Sequence, residues 1–556
     1  MKSLNIKPQQ IVLYITGIFF FSVIIRFFLA NYYPKTINCY PDELLYLSLG
    51  ESLWNHHNIQ VFNIASYYNQ VGYPFLIAPS FFFSSVKSQG TVIAFLNALS
   101  VSLGIFPVYG LARRLLTENK HILYCVILYS LSPSLTYSMT YMSESLSIPL
   151  SLLCIYLLYR FWETETSYKK IFFFVVSILT MYLCYITKLV ALAFPIALAM
   201  VILTNWILDK DIKKRILSIL ICITFLLIGI QIGFKRYFPA NILDKSSYVL
   251  FCFLFLLVVF VLGFCVIPVL LPAVHFREID QKSKKLYLFI IYTLVITAVV
   301  VACLINPRED YPSLTPRAHL RYVEFLFVPL VILLFQILEK NITVLSRKMF
   351  LIIFGVWGVI FLTIFRGFSG QTIDQTMLFY WQLFARDGKY FSPFIVKIIC
   401  AGIITVITII MILYFRNRML FCRMLATGLI IMCVGNSILS IFVQYKTHTH
   451  TAAETTEVEQ LREFVRQHPD ENFLVLEPDS YCEIIDTFLI DCDNVRTGMS
   501  LAVTQRADVF ESPSKISYAI VCDTEYEVSE TATHLKAYPN IGYSLYVIYD
   551  DCILKE

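Results

Sequence analysis

Apolar runs of about 17 to 25 residues recur along the sequence, and they constrain the fold more than any other feature. Wound as a helix, such a run spans about 30 Å of hydrocarbon. Inside lipid, only a helix or a closed barrel can satisfy its own backbone polar groups. The runs centre near 11–30, 91–112, 121–137, 144–161, 171–187, 189–207, 216–233, 248–272, 286–305, 322–338, 349–366, 393–415 and 424–443, which predicts an α-helical polytopic membrane protein with about thirteen crossings. Charge agrees, because only 15% of the 556 residues are charged, against about 25% in soluble chains. The first run is too long for the core of a signal peptide and is expected to stay as an anchor.

The placement of Lys and Arg sets the expected orientation. Arg113 and Arg114, Lys169 and Lys170, and the basic stretches 209–215, 277–285, 347–348 and 416–423 fall in alternate short loops, which the positive-inside rule assigns to the cytoplasm. The N-terminus, carrying Lys2 and Lys7, is then cytoplasmic too, and an odd number of crossings puts the tail outside. A bacterial plasma membrane is the expected location, to which the endoplasmic reticulum is topologically equivalent. The expected domains are a membrane domain over 1–445 and a small extracytoplasmic α/β domain over 446–556, with a helix over 454–467 and strands at 473–476, 518–522 and 545–549. The outer loop over 31–90 is too long for a turn, and within it 42–54 reads as a short helix lying in the interface. A net charge of +5 gives no nucleic-acid signature, and the fifteen cysteines are mostly scattered inside apolar runs rather than forming a disulfide framework.

Chemistry-bearing residues collect on the outer side. Asp42 and Glu43 are adjacent acids just past the first span; they suit a helix N-terminus and equally a general base or metal ligand. Glu144 lies at another outer boundary, where a carboxylate is costly unless paired or wet. Cations also occur there, against the topology rule: Lys188 sits between two apolar runs, and Arg317, His319 and Arg321 precede Tyr322. Snorkelling would account for Lys188, and pairing with Glu309, Asp310 or Glu324 for the arginines. Taken together, acids and cations on one side suit group transfer from a lipid phosphate. The departing phosphate is an anion that needs positive charge near its oxygens, and the acceptor hydroxyl needs a base. One base and one displacement imply inversion at the anomeric centre.

These residues, in this order, resemble the GT-C superfamily of polyprenyl-phosphate-dependent glycosyltransferases, which includes protein O-mannosyltransferases and lipid A aminoarabinose transferases. The resemblance rests on Asp42-Glu43 with Tyr46 following, Gly72-Tyr73-Pro74-Phe75-Leu76, the segment from Pro107 to Arg114, Ser143-Glu144, Thr187-Lys188, and Arg321-Tyr322 with Pro329 beyond. It implies that Asp42 is the acceptor base with Glu43 beside it and Glu144 in the catalytic set. It further implies that Lys188, Arg317, Arg321 and Tyr322 contact the donor phosphate, and that Tyr46, Tyr73 and Pro74 position substrate. The implied donor is a polyprenyl-phosphate-linked sugar from the membrane, and the acceptor is a glycan, lipid or protein. The chain departs from the family pattern at Phe75, where a second Pro is common, and at Leu189, where Gly is usual. No Asp-x-Asp ligand set lies near Asp42, so metal is unassigned; a divalent cation would take Asp42 and Glu43 first. The competing readings are a lipid-linked glycan ligase or polymerase, which uses the same phosphate physics, and a secondary transporter. The transporter predicts internal repeats and Gly-rich broken helices, yet Gly numbers only 19 in 556 and no symmetry between halves is visible.

Overall fold

The structure is a computed structural model that describes residues 8–32, 41–61, 64–65, 70–83, 86–207, 246–305, 319–340, 418–448, 452–476, 495–498, 516–522 and 533–547, with 216 and 355 singly. Apart from those two single residues, the spans expected at 216–233, 349–366 and 393–415 lie outside the described residues. The helices run α1 (Pro8–Tyr32), α2 (Pro41–Asn55), α3 (Gly72–Ile77), α4 (Val86–Leu103), α5 (Ile105–Leu115), α6 (Asn119–Ser130), α7 (Glu144–Glu163), α8 (Ser167–Thr187) and α9 (Ala193–Ile207). They continue as α10 (Ser246–Gly263), α11 (Ile267–Val274), α12 (Gln281–Val300), α13 (Phe327–Glu339), α14 (Arg418–His448) and α15 (Ala452–Gln467).

Among the described residues, seven helical stretches are long and apolar enough to cross a bilayer, or eight if one bent pair counts as a span. Their outer faces carry exposed aromatic and aliphatic side chains, such as Phe20 and Phe21 on α1 and Phe172 and Leu179 on α8. Such faces, on helices of this length, suit contact with lipid. The chain is an integral membrane protein.

By internal packing the chain divides into two compact units, each discontinuous in sequence. The first comprises 1–22, 100–136 and 147–440. At its centre lies α13, whose residues from Phe327 to Ile337 are all buried, as a helix apolar on every side must be. Helices α5, α6 and α11 pack on α13, and α9 packs along α12.

Three local breaks depart from the simple hydropathy reading. Gly104 separates α4 from α5, because a Cβ there would fall 2.1 Å from the Tyr129 hydroxyl, which instead donates to the Val101 carbonyl. The run 248–272, expected as one span, is two helices bent by 96°, turned by Cys265 and Val266 at φ 62° and 60°. Helices α6 and α13 hold only 12 and 13 residues, because 3₁₀ turns flank them: Pro133–Met139 after α6, and Leu320–Tyr322 and Glu324–Leu326 before α13.

The second unit comprises 23–99, 137–146 and 441–556. In it α2 packs on α3, on the 3₁₀ turn Ala78–Phe82 and on the hairpin strand β1 (Gln60–Val61), which pairs with β2 (Ile64–Ala65). Its C-terminal part forms a five-stranded sheet from β3 (Asn472–Leu476), β4 (Val495–Gly498), β5 (Ile516–Cys522), β6 (Thr533–Tyr538) and β7 (Tyr543–Val547), in the order β4-β3-β5-β7-β6. The first three strands are parallel and the last two antiparallel. Leu461 and Val465 of α15 close the core on Phe473, Ile520, Tyr538, Tyr543 and Leu545. The expected helix and three strands all appear in this sheet, along with β4 and β6, which are too short or too polar to stand out in the sequence.

Candidate active site

Helix α2 begins at Pro41, with Asp42 and Glu43 in its first turn, where Pro is already shaped for the helix and acids face the positive end of its dipole. The two acids diverge sharply. Asp42 is half-buried, while Glu43 is fully buried and accepts a hydrogen bond from the Tyr141 backbone N–H at 2.8 Å. One turn on, the Tyr46 hydroxyl donates to Ser143 Oγ at 3.2 Å, and its ring meets Tyr73 edge-on at 5.3 Å. From α4, Asn97 Nδ2 donates to the Thr140 carbonyl at 2.9 Å.

Glu43, Tyr46 and Asn97 thus grip three successive points of the segment that leads into α7. The first residue of that helix is Glu144, fully buried. Pro74 and Tyr73 are buried in α3, and Phe75 points outward. Burial pushes the Tyr73 phenol far up, with Asn97 opposing and Glu43, Tyr141 and Glu144 adding to the rise. Burial, and then Glu43, push Tyr141 up in the same way. Both phenols therefore remain protonated and act as hydrogen-bonding groups, not bases.

The first unit gathers the cations. Helix α8 stops at Thr187, and Lys188 takes an extended conformation with its N–H capping the Cys184 carbonyl. The Lys188 ammonium lies 4.7 Å from the centre of the Tyr322 ring. The Arg321 guanidinium lies 5.1 Å from the same ring, and the buried His319 imidazole stacks on it at 5.2 Å. Contacts of this kind stabilise cations where water is scarce. The local fold that sets this up is a left-handed His319 (φ 41°) leading into the turn Leu320–Tyr322. Leu320 anchors the turn against Gly263, where a Cβ would approach its side chain to 2.4 Å. Lys188, Arg321 and Tyr322 line a recess whose remaining walls include Ser151, Cys184, Thr297 and Phe325.

Of the residues singled out in the sequence, Glu43, Tyr46, Tyr73, Pro74 and Glu144 fall within the second unit with Asp42, and Lys188, Arg321 and Tyr322 within the first. Arg317 lies outside the described residues. Among the described residues, no group of three or more His, Cys, Asp or Glu side chains is placed to hold a metal ion. Asn97 and Thr297 gave no signal in the sequence, being single polar residues inside apolar helices with no neighbouring motif.

Residues 72–230 match the family model of dolichyl-phosphate-mannose-protein mannosyltransferases. Comparison with curated proteins gives no match. Among solved structures, the chain is similar to ArnT from Cupriavidus metallidurans bound to undecaprenyl phosphate, at 12% identity over 96% of this chain and 98% of that one, with a TM-score of 0.52. Its apo form aligns at 13% identity over 96% and 97% of the two chains, with a TM-score of 0.49. The chain has a GT-C-like helical membrane fold with a small C-terminal sheet.

Proposed function

We propose that this protein is an inverting glycosyltransferase that moves a sugar from a polyprenyl-phosphate donor to an acceptor hydroxyl on the outer face of the membrane. The observation that carries the reading is the convergence of Lys188 and Arg321 on the Tyr322 ring beside a recess in apolar helices. Ionisable groups at an apolar boundary mark functional sites, and two cations gathered at one ring suit an anionic ligand. The matched family model and the fold neighbour support the donor class, since the first is described by a lipid-phosphate sugar and the second was solved with a polyprenyl phosphate.

In the proposed reaction the acceptor oxygen attacks the anomeric carbon and its proton passes to the Asp42 carboxylate. The bond from that carbon to the phosphate oxygen breaks, and polyprenyl phosphate leaves with the electron pair. Lys188 and Arg321 stabilise the negative charge that develops on it. Tyr322 holds the two cations, and Glu43 and Tyr46 hold the segment before Glu144. Acceptors of the glycan, lipid and protein classes all satisfy this chemistry.

The decisive assay is sugar transfer in proteoliposomes with purified protein and candidate polyprenyl-phosphate sugars. Asp42→Asn is expected to lower kcat by about 10² to 10⁴, the contribution of a general base, while donor binding is retained. Lys188→Ala is expected to weaken donor binding as well as turnover. Undiminished turnover in Asp42→Asn would remove it as the base. Solute uptake without any sugar transfer would identify a transporter instead.

A further inference from the structure

The recess beside Lys188 carries a polar wall that the mechanism above leaves unused. Ser147 and Ser151 lie one and two turns into α7, Cys184 lies one turn before Lys188, and Thr297 comes from α12. One turn is about 5.4 Å, so Ser151 and Cys184 sit inward from the ends of their helices. Ser151 and Cys184 line the same recess.

Hydroxyls inside membrane helices ordinarily bond back to their own backbone, as Ser177, Thr180 and Thr187 of α8 do with the carbonyls of Phe173, Val176 and Leu183. Ser147, Ser151 and Thr297 line the recess instead. The recess also has an apolar side, formed by Val190, Ala191, Phe194 and Phe325, but its hydroxyls offer nothing to an isoprenoid chain, which makes no hydrogen bonds. They suit an oxygen-rich anionic headgroup, whose oxygens accept from hydroxyls while the cations neutralise its charge.

We infer that Ser147, Ser151 and Thr297 are donor-headgroup ligands, and that a bound lipid phosphate covers Cys184. The inference rests on the donor class proposed above. Its test uses thiol labelling rather than turnover. The full-length protein in detergent is treated with a methanethiosulfonate reagent in the presence of undecaprenyl phosphate or of the uncharged alcohol undecaprenol, and labelling is read cysteine by cysteine by mass spectrometry. Cys422, partly exposed on α14 and not part of the recess, serves as the internal reference.

Undecaprenyl phosphate is expected to suppress labelling of Cys184 but not of Cys422, and undecaprenol to leave both unchanged. Ser151→Ala and Thr297→Val are each expected to raise the half-protecting concentration by about tenfold, the loss of one hydrogen bond to a charged oxygen. Thr297→Ser, which keeps the hydroxyl, is expected to match the wild type. Equal protection by undecaprenol would show that the isoprenoid chain fills the recess, and would overturn the inference. A loss in Thr297→Ser equal to that in Thr297→Val would assign the effect to packing and overturn the role of the hydroxyl. If undecaprenyl phosphate raises the Tm yet leaves Cys184 labelling unchanged, this inference falls while the proposed donor class stands. If it does neither, the donor class falls with it.

Discussion

Asp42 and Glu43 are neighbours in sequence but differ in burial, and in the proposed reaction this difference divides their roles. Glu43 spends one carboxylate oxygen on the Tyr141 N–H and is sealed from solvent, so no acceptor can reach it, whereas half-buried Asp42 stays within reach. A glutamine at position 43 still presents an oxygen to that N–H and loses only the charge. We therefore expect Glu43→Gln to keep turnover within about tenfold of wild type, while Asp42→Asn loses about a hundredfold or more, both measured in the transfer assay. Equal losses would return Glu43 to the chemistry. Glu43→Ala leaves the buried Tyr141 N–H without its partner, at a cost of about 1–3 kcal/mol, and should lower the Tm in detergent as well as the rate. The acid pair was visible in the sequence, since adjacent acids after an apolar run are rare. Which of the two is buried was not, because that depends on a contact 98 residues away.

Elements are held by small numbers of specific contacts, and two of them give predictions independent of the proposed reaction. The close approach of Tyr129 at Gly104 leaves no room for a methyl group, so Gly104→Ala should overpack the α5–α6 contact and cost about 1–3 kcal/mol, seen as a lower Tm. An unchanged Tm would mean that the helices part there freely. At the start of α12, Asp280 caps the helix through the Lys282 and Ser283 N–H groups at 3.1 and 2.9 Å and pairs with Lys340 at 3.1 Å. Partial burial works against the Asp280 carboxylate, but the Ser283 bonds and Lys340 outweigh it and hold its pKa below the ordinary range. A depressed folded pKa stabilises the protein above the unfolded value, and the gain is lost as pH falls through the folded one. Asp280→Ala should therefore lower stability by about 1 kcal/mol near neutrality, and the difference from wild type should shrink below about pH 4. A difference that persists in acid would assign the effect to packing. Helix existence was legible from apolar run length alone. The breaks were not: the 96° bend turns on two non-glycine residues at positive φ, Cys265 and Val266, whose identities announce nothing.

At the scale of the whole molecule, hydropathy and charge placement make separate statements. Run length predicts crossings, and six of the seven long apolar stretches coincide closely with single expected runs; the seventh, Ser88–Leu115, extends past both ends of the run at 91–112 and is broken at Gly104. The C-terminal sheet was legible only through its three most apolar strands, since β4 and β6 owe their place to pairing with neighbours rather than to their own composition. Orientation rests on charge alone. Basic loops in alternate positions would place the N-terminus inside and the C-terminus outside, and on that assignment Lys188 and Arg321 are among the cations on the outer side. Both lie over the Tyr322 ring, between helices. The proposed reaction depends on this orientation, since it sets the face on which the acceptor is met. Fusions to the full chain and to a truncation after Leu116 separate the possibilities. Alkaline phosphatase, active only outside, should be active at the C-terminus, where green fluorescent protein stays dark. The truncation, ending just past Arg113 and Arg114, should give the reverse pattern. The opposite result at both positions would invert the molecule and place the proposed chemistry in the cytoplasm, and the same result at both would change the number of crossings between them from odd to even.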